Sequence, residues 1–574
     1  DVAVGFQAHY NGTGRGVFIG LQAGKETTGS GVAIGSEAGE TNTTSGLVLV
    51  GENAGKLVSG TAGGMTAVGH NVSSHASGTY HTMVGQNAGQ YLKGNVNTGV
   101  GYRVLQSGTN ATHQNNIAIG HQTMQGGNYS VTNQDNVAFG VNTMRYASGS
   151  SYNVAIGQTL FATDQTSTQV VSIGYRALSG TTSTTGTVAV GHLAARDLTT
   201  GDQNIAIGKS AMLTNTTSDY NIAIGTESMG LDGAGNSTAI GYLSMNEHSG
   251  DNDVAVGNYS LRRGTGAYNV GVGVAAMTNV SGGVGGIAIG YQAGYHPTGN
   301  YNTWVGYNAG FGTAAGSAEL NVGIGREALM NINDGDNNTA IGYQAGKDIS
   351  DGMENTLGGY LAGHNLTDGS YNTVLGTKAL GAGTTASRNV AIGYHAMLEF
   401  VQGDTRNTAV GMYAMHRTES GSHNVAMGYN AMAGANSSYD SDYNVAIGSS
   451  TMYANEGGDY NTVVGYAAGN AITTGGDNVL IGSQAGYAMT TQSAATLVGY
   501  KAGLNNTAAS LVALGKNAGY SNTSGIQNTF IGFSAGHSNQ TGGSNVYLGY
   551  QSGYGLTTSN NVVVGNNALA NGLN

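Results

Sequence analysis

The chain has no cysteine, one proline and one tryptophan in 574 residues, and only 9% of its residues are charged. Without cysteine there are no disulfides and no thiolate metal sites, and the sequence carries no record of its redox compartment. The one proline, Pro297, falls in a connector. Apolar runs are no longer than a strand, which excludes a membrane helix and hence membrane insertion by this segment. Lys and Arg number 19 against 31 Asp and Glu, a net charge of −12. That is a dilute acidic surface without the basic patches that phosphate binding needs, so nucleic acid is excluded as a partner. No signal peptide precedes the first residues, Asp1-Val2-Ala3-Val4-Gly5. They begin inside a repeat, so the chain reads as a section of something longer.

What is abundant is glycine, 100 residues, arranged with a period. A unit such as Asn221-Ile222-Ala223-Ile224-Gly225 recurs 34 times between Gly5 and Gly565, at a mean spacing of about 17 residues. Fixed-period self-similarity of this kind marks a solenoid. No linker or composition shift divides the chain, so residues 1–574 read as a single elongated repeat domain. With one strand spacing of roughly 4.8 Å per coil, such a rod is about 160 Å long.

The fold expected is all-β: a parallel β-solenoid, or β-roll, of about 34 coils with a 17-residue period. Three residues before the glycine every copy has Val, Ile or Thr; one residue before it, 33 of 34 are apolar, Gly358 being the exception. Two positions apart on a strand, these share one side, read as the buried face. The residue between them is usually Ala, sometimes Phe18, Met83, Trp304, Phe530 or Tyr547, and is expected on an outer apolar face. Asn fills the position before the strand in 21 copies, where stacked amides can form a ladder. The structural ladder is therefore assigned to Asn221, Ile222, Ile224 and Gly225, and to Asn338, Ile341, Gly342 and Tyr343 in a later copy. Four residues after the glycine comes either Gly or a large apolar residue such as Met212, Met397, Met415 or Met432, read as filler at the edge of the core.

No catalytic spacing emerges. The GxG strings belong to the repeat, nothing resembles a nucleophile elbow, and the 14 His are scattered and expected at the surface, as for His70, His121 and His395. No metal site, cofactor or enzymatic activity is expected. The acidic pairs Asp334/Asp336 and Asp440/Asp442 lack a full calcium ligand set and read as solvated turns. A Tyr column after the glycine, including Tyr343, reads as structural stacking near a subunit contact. If ligands bind, the longest connectors are where a stacked scaffold is free to vary. The candidate ligand-binding residues are Asn128, Tyr129 and Asp135 in one, and Tyr439, Asp440, Asp442 and Tyr443 in the other, a mix suited to surface glycans.

Repeats such as Asn338-Thr339-Ala340-Ile341-Gly342-Tyr343-Gln344-Ala345-Gly346 and Asn424-Val425-Ala426-Met427-Gly428-Tyr429-Asn430-Ala431-Met432 resemble those of bacteriophage tail fibres and related adhesins. The motif is also similar to the shorter repeats in the head of trimeric autotransporter adhesins. The resemblance implies a left-handed β-roll, a parallel homotrimer, and an extracellular location as a virion fibre or cell-surface appendage. The function expected is a fibrous adhesin or tail-fibre shaft, a rigid rod that mediates attachment to a host or cell surface. The alternative is a structural filament of an extracellular matrix or appendage without receptor binding. An ice- or mineral-binding solenoid is a further class, set back by the reading that Thr faces inward.

Overall fold

In the computed structural model, the described residues are 1–59, 63–108, 112–126, 133–161, 166–231, 233–296, 299–314, 316–403, 405–434 and 440–570. They form two compact units, Asp1–Gly282 and Gly283–Asn574. Each is a parallel β-solenoid, and among the described residues there is no helix. One strand of three to five residues per repeat pairs in parallel with the strand of the next. Register is strict: Ile205, Ala206 and Ile207 stand opposite Ile222, Ala223 and Ile224 in the first unit, as Thr356, Leu357 and Gly358 stand opposite Thr373, Val374 and Leu375 in the second. The first unit carries two short extra ladders, one pairing His113–Gln114 with Asn133–Gln134 and one through Glu247–His248, Arg263–Gly264 and Asn279–Val280.

The faces are the reverse of the expectation. After the terminal strand Val2–Val4, the middle residue of every repeat strand is buried, while its two neighbours are half-buried or exposed. Ala223 is buried, and Ile222 and Ile224 on either side of it are only partly covered. Ile341 is 50% exposed. The Ala column therefore lines the core, together with the Asn before the strand, and the Val, Ile and Thr columns point outward. The physical reason is room. The inward Ala of the strand, such as Ala340, shares the core with the buried Ala three residues past the glycine, such as Ala345, and two β-branched side chains per strand do not fit so thin a coil. Outward, each Val or Ile is partly shielded by its copies above and below.

Volume matching across coils confirms which side is inside. Where the middle strand residue is Phe, Tyr, Trp, Leu or Met, the position four after the glycine is Gly; where it is Ala the same position is most often Met or Leu, and is Gly at Gly39, Gly294, Gly346 and Gly519, where the next coil brings Leu49, Trp304, Leu357 or Phe530. A Cβ on Gly310 would lie 2.1 Å from the Trp304 ring, and one on Gly346 2.6 Å from Leu357 Cδ1 in the next coil. Ala206, Ala391 and Ala426 have instead Met212, Met397 and Met432 in the core. These methionines are core filler rather than an edge.

At the repeat glycine itself the backbone excludes any other residue. Gly225 has φ of 137°, and a Cβ there would meet the Gly241 carbonyl oxygen at 2.3 Å. Beyond it the chain alternates hand: Glu227 has φ of 56° and Met229 of 50°. Alternate N–H groups along the turn thereby point to opposite neighbours, Glu227 N donating to Lys209 O at 2.9 Å and Met229 N to Ser244 O at 2.8 Å, while Ser228 N between them turns back to Gly225 O. The turns are thus stacked by hydrogen bonds as the strands are, which satisfies backbone that would otherwise be orphaned.

The buried asparagines form a continuous chain of amides from Asn302 to Asn478 in the second unit. Asn338 Oδ1 accepts from the backbone N and Nδ2 of Asn355 at 3.0 and 2.9 Å, and Asn338 Nδ2 donates to Gly352 O at 2.8 Å. The pattern repeats at Asn355, Asn372, Asn407, Asn424, Asn444 and Asn461. Asn372→Ala leaves the Ala386 carbonyl and the Asn389 N–H without partners. The expected cost is roughly 2–4 kcal/mol, from about 1–3 kcal/mol per unpaired buried group. Hydrogen exchange should speed up over the coils around residue 372 and stay unchanged fifty residues away, since repeats contact only their neighbours.

Candidate functional site

The two long connectors do not assemble a site among the described residues. Asn128, Tyr129 and Tyr439 lie outside the described residues. Asp135 is half-buried with φ of 55°, and its Oδ1 accepts from Asn115 Nδ2 at 2.9 Å. Asp440 is exposed. Asp442 Oδ1 accepts from Ser422 N at 2.6 Å and Ser422 Oγ at 2.9 Å, one coil back. Tyr443 stacks between His423 and Tyr460, at ring separations of 4.8 and 5.2 Å. These groups cap and stack neighbouring coils.

The other acidic pair behaves alike. Asp334 Oδ1 accepts from Ser317 N and Oγ, both at 2.9 Å, and Asp336 Oδ1 from Glu319 N at 2.7 Å. Each carboxylate stands in for a missing turn partner in the coil before it. Among the described residues no group of three His, Asp or Glu is placed to hold a metal.

Among the described residues several side-chain ladders run along the stack besides these, three of which bear on the surface. The Tyr column after the glycine stacks in pairs, Tyr291 on Tyr307 at 5.1 Å and Tyr343 on Tyr360 at 5.2 Å. A second aromatic column, five before the glycine, includes Tyr220, Tyr268, Tyr301 and Tyr371, all with φ near 60° and all exposed. This second column recurs at a fixed place in the sequence, but hydrophobic patterning does not pick it out, because left-handed backbone disfavours tyrosine. The third ladder is the outward Val, Ile and Thr face itself. Two apolar or Thr side chains per coil recur at about 4.8 Å along the stack and roughly 6.6 Å along each strand.

Three histidines expected at the surface are buried: His81, His113 and His248. His113 has neither ring nitrogen hydrogen-bonded to protein, and burial pushes it from the ordinary 6.5 down to about 4. Between those values the unfolded chain binds the proton and the folded chain does not, so folding weakens as pH falls from 6.5 to 4 and levels off below. The loss is about 3 kcal/mol at about 1.4 kcal/mol per pH unit. Amide exchange around residue 113, corrected for intrinsic rate, should report it at pH 4.5, and His113→Leu should reduce the dependence there, leaving the part that the buried His81, also lowered by burial, contributes.

Compared with known proteins, the chain matches no family model and no curated protein.

Proposed function

We propose that this chain is the shaft of an extracellular attachment fibre, carried on a virion or cell surface and built as a parallel homotrimer. The observation that supports it is the outward Val and Ile ladder. An apolar face that recurs in all but one of the 34 coils is larger than a soluble monomer exposes without a partner, and cyclic symmetry lets identical chains cover one another. The resemblance of the repeats to tail fibres and trimeric adhesins supports the same reading. The proposed role is mechanical reach and attachment rather than catalysis, with surface glycans as the class of target.

Analytical ultracentrifugation tests it. The chain should sediment at three times its 57.8 kDa mass. Carrying Ile324→Asp, Ile341→Asp and Ile392→Asp together, it should become monomeric with its β-sheet circular dichroism intact, because all three side chains point outward. A stable monomer of the unmodified chain at micromolar concentration overturns the proposal.

One observation favours a second reading. Thr occupies the outward column three before the glycine in 12 of 34 copies, so the argument that Thr faces inward, which set back an ice- or mineral-binding solenoid, no longer holds. A monomeric chain that inhibits ice recrystallisation, and loses that activity on Thr339→Tyr and Thr356→Tyr, would replace the fibre by this reading.

A further inference from the structure

In the coils of Gly393 and Gly411 two departures from the column pattern coincide. The column two after the glycine, usually Gln, Asn, Glu or Leu, carries an aromatic ring in two successive coils, His395 and Tyr413. Both residues have left-handed backbone, φ 56° and 58°, where bulky side chains are uncommon. At the same coil the Tyr column is interrupted by Met412. Tyr413 turns instead into a cluster, edge-on to Tyr394 at 5.5 Å, His395 at 5.6 Å, His416 at 5.0 Å and Tyr429 at 6.3 Å. His395 lies parallel to His416 at 5.8 Å. Between these rings, Arg417 and Tyr453 opens a cleft of about 340 Å³, to which the Asn430 amide also contributes. That is at the small end of the range for small-molecule sites.

The chemistry of the lining is specific. Arg417 is exposed and supplies a planar fork that matches a carboxylate. Burial, and then neighbouring cations, holds His395 and His416 below the usual imidazole range, although Glu399 pulls His416 back up. At neutral pH the two imidazoles are walls rather than charges, and Arg417 is the cation of the cleft. Tyr429 and Tyr453, 47% and 39% exposed, offer flat faces for apolar C–H surfaces, while phenol hydroxyls and Asn430 offer hydrogen bonds.

We infer that the cleft formed by His395, Tyr413, His416, Arg417, Tyr429 and Tyr453 binds an acidic sugar, its carboxylate on Arg417 and its ring against the tyrosines. A bare anion needs no aromatic wall, and a neutral sugar no arginine; the combination selects a ligand that has both features. The inference rests on this cleft alone and not on the fibre reading, so it stands or falls separately from the oligomeric state.

The test uses the full chain and a minimal pair of probes, methyl β-glucuronide and methyl β-glucoside, which differ only at the carboxylate. Saturation-transfer NMR should show the glucuronide binding at least tenfold more tightly than the glucoside. Arg417→Gln should abolish that preference, and Tyr429→Ala should weaken the glucuronide at least fivefold, both with unchanged circular dichroism, since both side chains are exposed. Failure of the glucuronide to bind overturns the inference, as does binding unaffected by either variant. Sodium sulfate that competes fully, with Tyr429→Ala without effect on the glucuronide, shows a plain anion site and overturns the sugar assignment.

Discussion

Ala223→Asp should unfold the coils around residue 223, whereas Ile224→Asp, one residue on, should leave the monomer fold intact. Ala223 is fully buried and pairs in register with Ala206 and Ala239. A carboxylate there has no room and no donor, and an uncompensated buried charge costs several kcal/mol. Ile224 points to the outer face, where it is partly exposed; a carboxylate can reach water at a cost of about 1 kcal/mol or less, as at other surface positions. Limited proteolysis should nick Ala223→Asp near residues 206–245 and spare the rest, because stacking is a nearest-neighbour interaction. Equal protease resistance in the two variants, under conditions where both are monomeric, would contradict the face assignment made from burial.

That contrast also marks where the sequence could be read and where it could not. Period, strand position, glycine bend and amide ladder all follow from residue types in fixed columns, because each depends on backbone geometry that only certain residues satisfy. The choice of inner face depends on parity alone, and a one-residue error exchanges every side chain between core and surface. Val and Ile look like core by hydrophobicity; the decisive clue was the Asn column. A stacked amide ladder needs burial to be worth its desolvation, and Asn338 shares parity with Ala340 and Gly342, not with Thr339 and Ile341. The Gly or Met alternation after the bend, read against the size of the strand residue in its own and the next coil, carries the same information. The cleft around Tyr413 was not legible, since its rings come from different columns of four coils: His395 and Tyr413 two after the glycine, Tyr429 one after, His416 and Tyr453 five after. His113 and His248 were missed for a similar reason, as each stands alone in its column.

The second large effect concerns His248. In the coil of Gly257 the ladder position usually held by Asn is Asp253, and its carboxylate is as deeply buried as the amides it replaces. Oδ1 keeps the ladder by accepting from Asn269 N at 2.6 Å, and the Asp253 N–H donates to Ser237 Oγ at 3.1 Å. Oδ2, where an Asn would donate, meets His248 Nε2 at 2.8 Å, with both side chains fully buried. The imidazole thus supplies the proton that the amide would have brought. His248→Leu removes that donor and strands a carboxylate in the core, for which the expected cost is about 3–5 kcal/mol. Asp253→Asn added to His248→Leu restores a side chain that can donate to a carbonyl of the next coil, as Asn338 does to Gly352, and should recover most of the loss. The double-mutant cycle isolates the pair, because the two residues touch and their effects should not add. Hydrogen exchange over residues 237–280 reads all three variants: fast exchange in His248→Leu alone is expected. If His248→Leu costs less than about 1 kcal/mol, the range of an ordinary surface substitution, or if the double variant is no more stable than the single, the pairing is not what holds Asp253 in the ladder.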